Sequence, residues 1–159
     1  MKATIIFVIS VVLFGISETH ADSRTEKEVE QAVIDINSYA LAHKKTNPGI
    51  ISKYGALAFW SSGGLLQEIP PGGGPVEEFE VYTIVPKHIR VVTLVGGQAA
   101  IAHYYLEGSE QYKGQPAATN YLTRATQAFV KEDGSWKVRS THWSRILGGV
   151  GTTKTAVPD

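Results

Sequence analysis

The 159-residue chain balances 15 Lys and Arg against 15 Asp and Glu, is 43% hydrophobic and contains no cysteine. That size fits one domain able to bury its own core, and the neutral charge argues against a nucleic-acid surface or a disordered acidic tail. The absence of Cys excludes disulfides, thiolate metal sites, iron–sulfur clusters and Cys nucleophiles.

Lys2 and the apolar run from Ile5 to Ile16 pattern as the n- and h-regions of a secretory signal. The run is too short for a spanning helix, which needs about 20 residues. Thr19 and Ala21 offer a small-residue cleavage site before Asp22. The chain therefore divides into a signal peptide (1–21), a folded domain (22–147) and a flexible tail (148–159), with a retained anchor or buried N-terminal helix as the alternative. The expected location is secreted or periplasmic, without membrane attachment after cleavage.

A capping box at Ser23-Arg24-Thr25-Glu26, or the register starting at Thr25, opens a helix over residues 25–44. Val29, Ala32, Val33, Ile36, Tyr39, Ala40 and His43 mark its apolar face. Asn47-Pro48 signals a second, short helix that Gly55 stops. Beyond it the period becomes two. Strands are predicted over 57–61, 78–85, 88–95, 98–106, 121–131 and 135–147, with a Pro-Gly loop over 69–75. Gly96-Gly97 and Asp133-Gly134 are hairpin turns. Helices followed by antiparallel strands predict an α+β domain, its N-terminal helices packed in the concave face of a strongly curved antiparallel sheet. Where helix and sheet splay apart, a pocket can open.

Alternation assigns strand faces. Trp136, Val138, Ser140, His142, Ser144 and Ile146 form the more apolar face of the last strand and are expected inward, leaving Arg139, Thr141 and Trp143 outward. Leu122, Arg124, Thr126, Ala128 and Val130 are expected inward on the preceding strand, and His103 and Tyr105 on the one before. Arg124 would then need a carboxylate such as Glu107 or Glu110, or an acidic ligand; half-solvation at the barrel mouth is the competing reading. His142 is the first candidate for proton transfer and His103 the second, since imidazole titrates near neutrality. On an apolar strand face each more often reads as a satisfied core histidine. Tyr39, Trp60, Tyr104, Tyr105, Tyr121 and Phe129 are the aromatics that would line a cavity or simply pack. No metal spacing, nucleophile elbow or phosphate loop is present, so neither metal nor cofactor is expected.

Arg124-Ala125-Thr126, then Phe129 through Val138 with Asp133-Gly134-Ser135-Trp136, then His142-Trp143-Ser144 resemble the closing hairpin of the SnoaL-like branch of the nuclear-transport-factor-two-like superfamily. The stretch from His88 to Tyr105, and Phe59-Trp60-Ser61-Ser62-Gly63-Gly64 after the helix, are similar to the same family. The resemblance covers about residues 25–147. It implies an α+β cone enclosing a pocket, with polyketide cyclases, ketosteroid isomerase, dehydratases and the oligomeric calmodulin-dependent kinase II association domain among relatives. By position it carries pocket roles onto Arg124, Thr126, His142 and Ser144, and approximately onto Tyr39. The family's acidic base has no counterpart in the stretch 54–64, and the family's long third helix is replaced by the Pro-Gly loop.

Three functions follow as expectations. The first is binding of a small, largely apolar molecule, acidic if Arg124 anchors it, by Tyr39, Trp60, Tyr105, Arg124, Thr126, His142 and Ser144. The second is an isomerase, cyclase or dehydratase with His142 or His103 as base. The third is a homodimer through the outer sheet face, anchored by Trp143, Thr141 and Arg139.

Overall fold

The computed structural model describes residues 16–153, so the signal-peptide reading of residues 1–15 and the tail beyond 153 lie outside the described residues. A single helix, α1 (Ile16–His43), precedes seven strands: β1 (Ala56–Phe59), β2 (Gln67–Ile69), β3 (Phe79–Tyr82), β4 (Val85–Val95), β5 (Ala99–Tyr112), β6 (Ala118–Glu132) and β7 (Ser135–Arg145). They form one sheet in the order β2-β1-β7-β6-β5-β3, with β4 also paired to β5. All neighbours run antiparallel except β1, which lies parallel to β7 through Leu57↔Ser140 and Phe59↔His142. The architecture is an α+β cone whose sheet is mixed at one edge.

The helix begins before the expected capping box. Thr25 is therefore no N-cap; it is buried, and its hydroxyl accepts from the amide of Gly97 in the β4–β5 turn at 2.7 Å. Val29, Val33, Asn37 and Ala40, one turn apart, are buried and share a face. That face packs chiefly on β4 and β5. Glu28 fastens the helix to the closing hairpin: its Oε2 accepts from Lys131 Nζ at 2.6 Å and Trp136 Nε1 at 3.0 Å.

The second helix expected after Asn47 is absent. Residues 50–52 instead run beside β7, where the amide of Ser52 donates to the carbonyl of Val138 and Val138 donates to Ile50. Sheet-edge hydrogen bonds satisfy this backbone better than one isolated helical turn could. Gly55 then bends the chain at φ 75°, and a Cβ there would lie 2.4 Å from the carbonyl oxygen of Ile69. Both hairpin turns form where expected, with positive φ at Gly97, Asp133 and Gly134.

The expected tail docks as far as it is described. Leu122 donates to Val150 and Val150 to Asn120, extending the sheet beside β6, and Thr152 is buried. Close approach permits this docking, since a side chain on Gly149 or Gly151 would collide with Leu122 or Ser61.

Candidate functional site

On β5, β6 and the last part of β7 the inner face carries the opposite residues from those expected. On β5 the buried set is Ala100, Ala102, Tyr104, Leu106 and Glu110; on β6 it is Tyr121, Thr123, Ala125, Gln127 and Phe129. On β7 the faces exchange midway. Ala128 pairs with Ser140 but Phe129 with Val138, so Arg139 is an extra residue in β7. This β-bulge shifts the alternation by one. Trp136 and Val138 face the core before it, Thr141 and Trp143 after it. Thr141 and Trp143, expected outward as dimer anchors, therefore face the interior.

Between α1, the sheet and two covering segments lies a cavity of about 250 Å³. Ile36, Asn37 and Ala40 supply the helix wall. Tyr82, Tyr104, Leu106, Tyr121, Gln127, Thr141 and Trp143 supply the sheet wall. Pro48, Gly49, Gly72, Pro75 and Val76 make an exposed rim. The Pro-Gly loop thus lines one side of the cavity.

Several polar groups in the walls are already satisfied. Tyr104 Oη donates to Gln127 Oε1 at 2.6 Å, and Tyr82 Oη to Asn37 Oδ1 at 3.1 Å. Asn37 in turn donates to the carbonyl of Val33, which fixes its amide. Trp60 donates its indole N–H to Gln67 and stacks on Trp143 with centroids 4.6 Å apart.

Glu110 differs from these groups. It is 5% exposed and lines the cavity, and among the described residues its Oε1 has no hydrogen-bond partner. Burial is the main force that pushes its carboxyl up to about 7, with Thr152 opposing as a hydrogen-bond donor and Glu77 adding repulsion. Burial, with Glu110 as a neighbouring charge, also raises the Tyr82 phenol, and lifts that of Tyr121 to about 12. These hydroxyls remain protonated donors. Thr141 Oγ1 is likewise buried without a partner. A buried unpaired acceptor costs about 1–3 kcal/mol, so these two groups are poised for a guest.

Of the residues expected to line the pocket, Trp60, Tyr104 and Tyr121 line this cavity, while Phe129 packs in the core. Tyr39 sits half-buried on α1 and packs against His43, with ring centroids 4.3 Å apart. Tyr105, Arg124, Thr126, His142, Ser144 and His103 are brought together on the outer face. The register aligns His103, Thr126 and His142 in one row, and Tyr105, Arg124 and Ser144 in the next. Arg124 Nε donates to Ser144 Oγ at 2.8 Å, Thr126 and His103 Nδ1 are 3.1 Å apart, and His142 packs on Phe59. Arg124, His142, Ser144 and Arg145 also border a shallow depression with Gly63 and Gly149. Arg124 is solvated here, so the charge-burial problem that would demand an acidic ligand does not arise.

Glu110, named from the sequence only as a partner for Arg124, was not expected in the cavity because its strand was expected to end at residue 106; in the structure Arg124 lies on the outer face and Glu110 on the inner one. Followed to its end, the even-numbered face runs Ala100, Ala102, Tyr104, Leu106, Gly108, Glu110, which is more apolar than the odd one. Among the described residues no group of three or more His, Asp or Glu is arranged to hold a metal.

No protein-family model matches the chain, and no curated protein matches it. Similar solved structures include an NTF2-like protein of Cytophaga hutchinsonii at 14% identity and TM-score 0.46, covering 76% of this chain and 91% of that one. An NTF2-like protein of Prochlorococcus marinus matches at 19% identity and TM-score 0.48, over 80% and 94% of the two chains. The CamKII hub homology domain of Chlamydomonas reinhardtii matches at 16% and TM-score 0.42, over 80% and 98%.

Proposed function

We propose that this protein binds a small, largely apolar molecule in the interior cavity, with Glu110 as its polar anchor. One observation carries the reading: a cavity of about 250 Å³, mostly apolar and aromatic, is lined by a buried carboxylate oxygen that no group among the described residues satisfies. That combination is what small-molecule sites use, apolar walls for affinity and few polar groups for orientation. The volume lies just below the usual range of about 300–1,000 Å³, so the guest is compact. Export through the N-terminal signal belongs to the same proposal.

The test is a calorimetric titration with 2-phenylethanol. Saturable binding is expected, abolished by Ala40→Phe, which fills the helix wall, and retained within about twofold by Arg124→Ala. Equal binding by wild type and a folded Ala40→Phe variant would contradict it.

The position of the Glu110 carboxyl favours a second reading, proton transfer at a carbon beside a carbonyl. A general acid–base group works best when it titrates near the operating pH, and burial pushes Glu110 up to about 7. The base role expected of His142 or His103 passes to Glu110, because both imidazoles lie outside the cavity. Deuterium wash-in from D2O beside the carbonyl of 2-indanone, lost in Glu110→Gln, is the expected result. Equal exchange in the variant would exclude it.

A further inference from the structure

The cavity binds a guest, on the reading above; its charge pattern narrows which guest. Among the described residues, Glu110 and Glu77 are the charged residues along the lining, and no Lys, Arg or His side chain is among them. The nearby Lys44 ammonium is engaged with the carbonyl of Tyr82 at 2.5 Å. The surrounding rings are electron-rich: Tyr82, Tyr104, Tyr112, Tyr121 and Trp143 line the same space. A cation inside an aromatic-walled cavity gains from ring faces as well as from a carboxylate.

We infer that the preferred ligand is a small organic cation, a protonated amine bearing a compact apolar group, whose ammonium pairs with Glu110 while the apolar part contacts the aromatic walls. Among the described residues, an anionic guest would meet carboxylates and no positive side chain. A neutral guest would leave Glu110 either charged and unpaired or protonated. An ammonium is the partner that meets both the unsatisfied Oε1 and the charge.

Energetics favour the pairing further. Forming a buried ion pair normally costs the desolvation of both ions. The fold has already desolvated Glu110, which is 5% exposed. An arriving ammonium therefore bears its own desolvation alone. The ionisable groups facing Glu110 are Tyr112 on its own strand, Tyr82 on β3, Tyr121 on β6 and Glu77 before β3. The three phenols are held protonated by burial.

A matched pair of probes tests this: phenethylammonium and the neutral isostere 2-phenylethanol, titrated calorimetrically into the full-length protein. At about pH 8 the amine is expected to bind at least tenfold more tightly than the alcohol, equivalent to about 1.4 kcal/mol. The preference should shrink at about pH 5.5, where the folded carboxyl takes up a proton, and disappear in Glu110→Gln. Glu110→Gln preserves side-chain size, and its melting curve verifies folding; Glu77→Gln should retain most of the preference. Equal affinities for the two probes, or a preference that survives Glu110→Gln, would overturn the inference. Binding of the alcohol without the amine would overturn it while leaving the pocket reading intact; binding of neither would overturn both.

Discussion

Glu110 titrates differently in the folded and unfolded chain, and the sign of the consequence can be worked out. Its ordinary value is 4.5 and burial lifts it to about 7. Between these values the folded state keeps a proton that the unfolded state has released. Stability therefore falls as pH rises through that window and levels off above about 7. Replacing the carboxyl by an amide removes the slope. In urea denaturation, Glu110→Gln should gain on the order of 3 kcal/mol relative to wild type between about pH 4 and about pH 8. A difference independent of pH would show that Glu110 is solvated. Glu28 is the opposite case. Hydrogen bonds from Lys131, Trp136 and Arg24 hold its carboxyl down to about 2. The stability it contributes is present above the ordinary value of 4.5 and is lost as pH falls towards 2. Glu28→Gln should thus destabilise the protein at neutral pH and reduce its acid sensitivity in the same denaturation series.

At the scale of elements, bulges and close approaches decide which side chains reach the cavity. The extra residue Arg139 turns His142 and Ser144 outward and brings Thr141 and Trp143 in. Gly108 sits in β5 at φ 151°, where a Cβ would lie 2.6 Å from the carbonyl oxygen of Thr83. The crossing of the β3–β4 link over β5 therefore depends on glycine. Gly108→Ala should destabilise the fold by about 1–3 kcal/mol and weaken ligand binding through Glu110 two residues on; an unchanged melting temperature would contradict this. Much of the scaffold was legible in the sequence. The helix face Val29, Val33, Ile36 and Ala40 follows a 3.6-residue period, and Asp133-Gly134 specifies its hairpin locally. The faces of the strands were not legible. Both faces of β6 mix apolar and polar residues, with Arg124 and Thr126 on one, Thr123 and Gln127 on the other. A period of two then cannot choose between them. The bulge at Arg139 arises from pairing across two strands, and Glu110 lay beyond the expected end of its strand. The cluster His103, Tyr105, Arg124, Thr126, His142 and Ser144 was correctly grouped as one face, and assigned to the wrong side.

At the scale of the whole molecule the two faces of the sheet serve different ends. The inner face, α1 and the docked segment through Thr152 enclose the cavity, so an early truncation removes a wall and the hydroxyl facing Glu110. The outer face exposes Leu57, Phe59, Val92, Leu94 and Tyr105. The homodimer proposed from the sequence therefore passes from Trp143 and Thr141 to these residues. Light scattering should report a dimer that Phe59→Glu dissociates; a monomeric wild type would contradict that assignment. The proposed export predicts a mature N-terminus at Asp22 by intact-mass measurement. The central claim is that ligand occupies the interior cavity and leaves the His–Arg–Ser face free. Amide chemical-shift mapping during titration with phenethylammonium tests this most directly. Shifts concentrated at Tyr104, Glu110, Gln127 and Thr141 are the predicted result; shifts concentrated at His103, Arg124, His142 and Ser144 would contradict it.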